Sequence, residues 1–149
     1  MKNRDSEQAI LEELDELGAA IACDCCCFGV LMGEMRALQW ELASGNENER
    51  YAAIAERVGS GLSGTVVKVG RPMSLQLTDL LATRRLHEYP IMLAEGLRSA
   101  YAVPVIVKRE VVGVLLAGDR QRRIYRTEER KLVVDAAERI AGWMGERLD

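Results

Sequence analysis

The chain has 149 residues, 48% of them hydrophobic and 29% charged, with a formal net charge of −3. That length suffices for one domain with a sizeable core, and the weak charge gives no electrostatic footprint for nucleic acid or an anionic membrane surface. No apolar run is long enough to span a bilayer, the N-terminus lacks a signal-peptide apolar segment, and the four cysteines crowd into one stretch that cannot staple a secreted fold; a cytoplasmic protein is expected.

In chain order, residues 1–24 read as an N-terminal helix. Asp5 or Ser6 is its expected cap, and Ile10, Leu11, Leu14, Leu17 and Ile21 follow helical spacing. Cys26 to Met32 reads as a buried strand and Gly33-Glu34 as a hairpin turn. The next strand alternates, with Leu38, Trp40 and Leu42 on one face and Gln39 and Glu41 on the other. Ser44-Gly45-Asn46-Glu47-Asn48 breaks it.

Gly59-Ser60-Gly61-Leu62-Ser63-Gly64 follows, and a short helix from about Leu62 to Val69 stops at Gly70-Arg71-Pro72. Met73 to Leu77 reads as a short strand, and the polar stretch Thr78 to Glu88 as loop or irregular helix. Pro90 suits the first turn of a further short helix carrying Ile91, Met92, Leu93, Ala94 and Leu97. Tyr101–Val107 and Val111–Leu116 form a hairpin around Lys108-Arg109-Glu110, with Pro104 demoting its part of the first strand to an edge or a bulge. Thr127 is the expected N-cap of a last helix over 127–146, whose apolar positions are Leu132, Val133, Ala136, Ile140, Trp143 and Met144. This order predicts a single α+β domain with an antiparallel sheet and its ligand-binding core within 25–119.

Residues 59–64 match the glycine fingerprint of dinucleotide folds, but the helix after them is too short and no ribose-binding acid stands at the required spacing. Two readings remain: a tight turn that needs glycine, or a turn that aims backbone N–H groups at a small anion. The second gains from Tyr89-Pro90-Ile91, which begins another helix. If the two helix starts converge, the amides of Leu62, Ser63 and Ile91 share a pocket. Trp40 carries an indole N–H that needs an acceptor when buried, and Tyr89 a phenol. These donors are neutral, which suits a monovalent anion better than phosphate. Trp40 and Tyr89 also read simply as core.

The segments Leu38-Gln39-Trp40, Ala43-Ser44-Gly45-Asn46, Asn48-Glu49-Arg50-Tyr51, Gly59–Gly64, Val69-Gly70-Arg71-Pro72-Met73, Tyr89-Pro90-Ile91 and Glu95-Gly96-Leu97 carry a resemblance. Over nearly its whole length the chain resembles a GAF domain, and among these the free-standing GAF-type nitrate receptors of Nre nitrate/oxygen regulatory systems. The resemblance implies terminal helices on one face of the sheet and ligand-binding loops and short helices on the other. It implies nitrate held by the indole of Trp40 and the amides of Leu62, Ser63 and Ile91, with Tyr89 enclosing it, no cofactor and no catalysis. Ser63 departs from the small apolar residue expected there. The implied partner is an oxygen-sensing histidine kinase of a two-component system, and pairing of residues 6–22 and 127–146 would give a homodimer. Other GAF chemistries fit less well: His87 stands beside Leu86 and Glu88 rather than the cysteine that anchors a bilin, and no cysteine follows Cys27, whereas GAF-type methionine sulfoxide reductases use cysteines in mid-domain.

Cys23, Cys25, Cys26 and Cys27 read as small apolar fillers at the start of a buried strand, with Cys25 and Cys27 on one face and Cys26 on the other. The alternative is a redox or metal site, although adjacent thiols on a strand make poor tetrahedral ligands. A ligand-free dimerisation module is a third reading. His87 reads as a surface loop residue, and Arg120, Arg122, Arg123 and Arg126 as a solvated loop or a docking patch.

Overall fold

The computed structural model describes the backbone of residues 2–148 and the side chains of residues 5–145. The elements are α1 (Lys2–Ile21), β1 (Cys25–Met32), β2 (Ala37–Ser44), β3 (Ala55–Glu56), β4 (Met73–Gln76), α2 (Leu77–Ala82), α3 (Pro90–Ala94), β5 (Ser99–Val107), β6 (Glu110–Asp119) and α4 (Thr127–Leu148). The strands form one six-stranded sheet in the order β3-β2-β1-β6-β5-β4, with every neighbouring pair antiparallel.

The apolar residues of the strands fill a core on each face. On one, Ile10, Leu14, Leu17 and Ile21 of α1 and Val133, Ala136, Ile140 and Met144 of α4 pack with Cys26, Phe28, Val103 and Leu115. On the other, Cys25, Cys27, Leu38, Trp40, Ala100 and Leu116 meet Leu62, Val66, Tyr89, Ile91 and Met92 from the short helices. The terminal helices thus take one face and the irregular middle of the chain the other.

Several expectations are corrected. Asp5 and Ser6 do not cap α1, whose helical backbone already includes Lys2; Asp5 lies in the first turn, where a negative charge complements the helix dipole. The alternation of β2 does not hold along the strand. A bulge sets Phe28 opposite Leu42 and Gly29 opposite Trp40, which leaves Glu41 as the extra residue. Leu38 and Trp40 therefore face the short helices, whereas Leu42 packs against the terminal-helix core. Pro104 does meet its expectation of an edge: it lies where β5 has outrun β4, whose pairing stops at Ala102, and a register shift follows between Val105 and Ile106. Part of the stretch 78–88 is ordered as α2 and a 3₁₀ turn over Leu86–Glu88. At α4, Arg126 rather than Thr127 is the cap: Glu129 Oε1 accepts from the Arg126 amide at 2.8 Å, as the third helical residue does in a capping box. Leu132 and Trp143 are exposed instead of joining the core of that helix.

The basic run is not a solvated loop throughout. Arg123 donates to Asp119 and to the Ala22 carbonyl at 3.2 Å each, and also to Glu129 and the Ile21 carbonyl. It thereby caps the end of α1 and ties it to the start of α4. Arg120 bonds Glu95 Oε1 at 2.9 Å, and its amide bonds Asp24 Oδ2 at 2.7 Å. Only Arg122 and Arg126 of the run are exposed.

Candidate functional site

The turn over 59–64 leads into a helix over 61–69 whose middle, Ser63–Val67, is π-helical. Its glycines have positional reasons. Gly61 has φ +57°, and a Cβ there would lie 2.0 Å from the Glu88 carbonyl oxygen and 2.9 Å from Glu56 Oε1. At Gly64 a Cβ would lie 2.5 Å from the Gly59 carbonyl oxygen. Only glycine lets the turn close this tightly against the 3₁₀ turn over Leu86–Glu88.

The residues singled out in the sequence lie on the same face of the sheet. Trp40, Leu62, Tyr89 and Ile91 belong to one buried cluster, and Ser63 is buried beside them. Ile91 stands second in α3, where helix geometry leaves its N–H without a partner within the helix. The Tyr89 hydroxyl lies 3.9 Å from Met73 Sδ, and burial pushes its pKa up.

Two of the expected donors, the Trp40 indole and the Leu62 amide, address a side chain that sequence reasoning passed over. Glu56, 3% exposed at the end of β3, accepts from the Trp40 indole N–H through Oε2 at 3.3 Å and from the Leu62 amide through Oε1 at 3.1 Å. The Ser63 amide also favours its charged form. Burial outweighs all three, and the carboxyl is pushed up to about 7. No cation among the described residues contributes to holding it ionised. From outside, a cleft of about 340 Å³ lined by Arg57, Ser60, His87, Glu88 and Pro90 reaches Glu56. His87 is exposed in that cleft, and Glu88 pairs with Arg85 at 2.9 Å. A two-residue strand carries no periodicity that would mark Glu56 as inward. The one signal available was the buried indole, whose acceptor had to be found inside or outside the chain.

The cysteines divide as alternation predicts, Cys25 and Cys27 toward the short helices and Cys26 toward the terminal helices. All four are free thiols. Cys23 Sγ and Cys26 Sγ lie 3.5 Å apart. The hydrogen bond between them lowers the Cys23 pKa and, with burial, raises that of Cys26 well above its ordinary value. Among the described residues no group of three or more His, Cys, Asp or Glu is arranged to hold a metal ion.

A family model described as GAF domain matches residues 5–142. The structure is similar to NreA from Staphylococcus aureus, mutated in its nitrate binding site, with 30% identity, a TM-score of 0.71, and coverage of 83% of this chain and 95% of that one. A hypothetical protein from S. aureus is 34% identical at a TM-score of 0.69, with 76% of this chain and 94% of that chain covered. The GAF domain of a phosphoenolpyruvate-protein phosphotransferase from Coxiella burnetii, at 20% identity and a TM-score of 0.80 over 96% of this chain and 84% of that one, shares the fold. No curated protein matches the chain.

Proposed function

The chain belongs to the GAF domain family, and from that premise we propose that it is a cytoplasmic sensor domain whose ligand is nitrate. One observation carries the reading: the Trp40 indole and the amides of Leu62 and Ser63 converge on a single planar anionic group inside an apolar enclosure. A carboxylate and nitrate are both flat, trigonal and singly charged, so donors arranged for one suit the other. Ile91 and Tyr89 complete the enclosure in this reading, and the similarity to an NreA supports it. The Ser63 hydroxyl would tune the anion preference. Binding would order the turn over 59–64 and the start of α3 and shift the domain toward a state that a partner reads. That partner is an oxygen-sensing histidine kinase whose phosphorylation the unliganded domain restrains, and a homodimer through α1 and α4 would present the surface. No catalytic step is proposed.

Calorimetric titration of the purified chain at pH 6 with nitrate, nitrite, chloride and phosphate tests the ligand. Saturable binding of nitrate at millimolar concentration, ahead of the other anions, is expected. Heats no larger than those of chloride would sink the reading.

The Cys23–Cys26 contact favours a second reading, a thiol sensor. An oxidising low-molecular-weight disulfide would accept two electrons, join the two sulfurs and leave as two thiols. Counting free thiols after such treatment separates the readings: a fall from four to two supports the sensor, and four intact thiols argue against it.

A further inference from the structure

We propose that the Glu56 carboxylate is a built-in occupant of the anion cradle, and that nitrate binds only to the form in which Glu56 is neutral, so that each nitrate enters with one proton. The inference rests on the nitrate reading and adds the residue that gates it. Its ground is geometric. The indole at 3.3 Å and the Leu62 amide at 3.1 Å are each spent on a different oxygen of Glu56, and these are the donors a bound nitrate would require. Gly61 holds the turn so close that even a methyl group there would meet Glu56 Oε1 at 2.9 Å. Two negative charges in so small an apolar site would repel each other without water to screen them.

The groups around Glu56 offer no other neutralisation. From β2 comes the uncharged Trp40, and from the turn over 60–63 a serine hydroxyl and backbone amides. The 3₁₀ turn brings His87 and Glu88, the latter already paired with Arg85, and the start of α3 brings the Tyr89 phenol. Arg57, next to Glu56 in sequence, is exposed at the cleft wall. Protonation is therefore the route by which the cradle loses its own charge. Burial already places the carboxyl at about 7, so the exchange falls within the ordinary cellular pH range. A neutral Glu56 can turn into the cleft beside His87 and so leave the Trp40 indole and the Leu62 amide to nitrate.

The experiment is titration of the full chain with sodium nitrate between pH 5.5 and 8.5, in paired buffers of different ionisation enthalpy, for the natural protein, Glu56→Gln and Glu56→Ala. The natural protein should keep a constant Kd below about pH 7, weaken about tenfold per pH unit above it, and take up close to one proton per nitrate on the alkaline side. Both variants should bind with a flat pH profile and no proton uptake. A flat profile for the natural protein, or the same slope in either variant, overturns the gating role while leaving the nitrate reading intact. Absence of binding in all three at every pH overturns both. Should a variant misfold, the Trp40 indole N–H resonance of the natural protein serves instead. Without nitrate it should titrate with Glu56, and nitrate should displace that titration to higher pH; an indole signal blind to pH and nitrate overturns the proposal.

Discussion

Glu56 gathers only neutral donors, and they do not replace the water its carboxylate loses on burial. The consequence for stability has a definite sign. In the unfolded chain the carboxyl titrates at its ordinary value, and in the folded chain at about 7. Between those values the folded state binds the extra proton, so stability falls as pH rises through this window. The full span corresponds to roughly 3 kcal/mol. Glu56→Gln keeps the shape and cannot ionise. Its stability relative to the natural protein should therefore rise by about that amount from pH 4.5 to pH 8, as read from urea unfolding midpoints. A relative stability constant with pH would mean that Glu56 stays hydrated. Trp40→Phe removes one donor with less loss of packing than alanine would bring. At pH 6, where the cradle is mostly uncharged, it should weaken nitrate binding by roughly 1–3 kcal/mol. At pH 8 the loss should shrink, because the same indole also stabilises the competing carboxylate.

The glycine turn and the 3₁₀ turn are held against each other by backbone, so side-chain substitutions elsewhere cannot substitute for Gly61. Gly61→Ala meets both a left-handed φ and the Glu88 carbonyl; it should cost about 2 kcal/mol or more in thermal or urea unfolding and weaken nitrate binding in the same protein. The turn itself was legible because glycine spacing is a local signal, as were the helix after it, Pro90 opening α3, and the β5–β6 hairpin. The fold class followed from the same signals. Elements decided by tertiary contacts were not legible. Glu41 looks like one more polar residue in an alternating strand, and only the pairing with β1 makes it a bulge that turns Leu42 to the other core. β3, two residues long, is a strand only because β2 pairs with it, and Glu56 was hidden with it. Arg123 reads as one of several loop arginines until α1, β6 and α4 surround it. Arg123→Ala would leave the Asp119 carboxylate, 8% exposed, without its cation, and the Glu129 carboxylate, 11% exposed, with only the exposed Arg126 at 3.5 Å. A loss of about 2–4 kcal/mol is expected, and Arg123→Lys should restore little because a single ammonium cannot span the four acceptors.

One sheet separates two cores, and β1, β5 and β6 belong to both. The cradle lies wholly on the side of the short helices, while α1 and α4 cover the other, with Leu132 and Trp143 left exposed on α4. The two sides differ in what holds them. The segments near the cradle are turns and short helices, whereas α1 and α4 are long and packed along their lengths. Segments of the first kind open with small free energies and those of the second with large ones. Ligand binding should therefore act on the first. Hydrogen exchange at pH 6 should slow on nitrate addition over residues 57–64 and 86–92 and stay unchanged in the middle of α1 and of α4. At pH 8 and the same nitrate concentration the protection should fade, and in Glu56→Gln it should persist at both. Protection confined to the terminal helices would place the ligand on the opposite face of the sheet, away from Trp40 and Glu56. Protection in both regions would mean that β1 and β6 carry the change across the sheet to the surface a partner would touch.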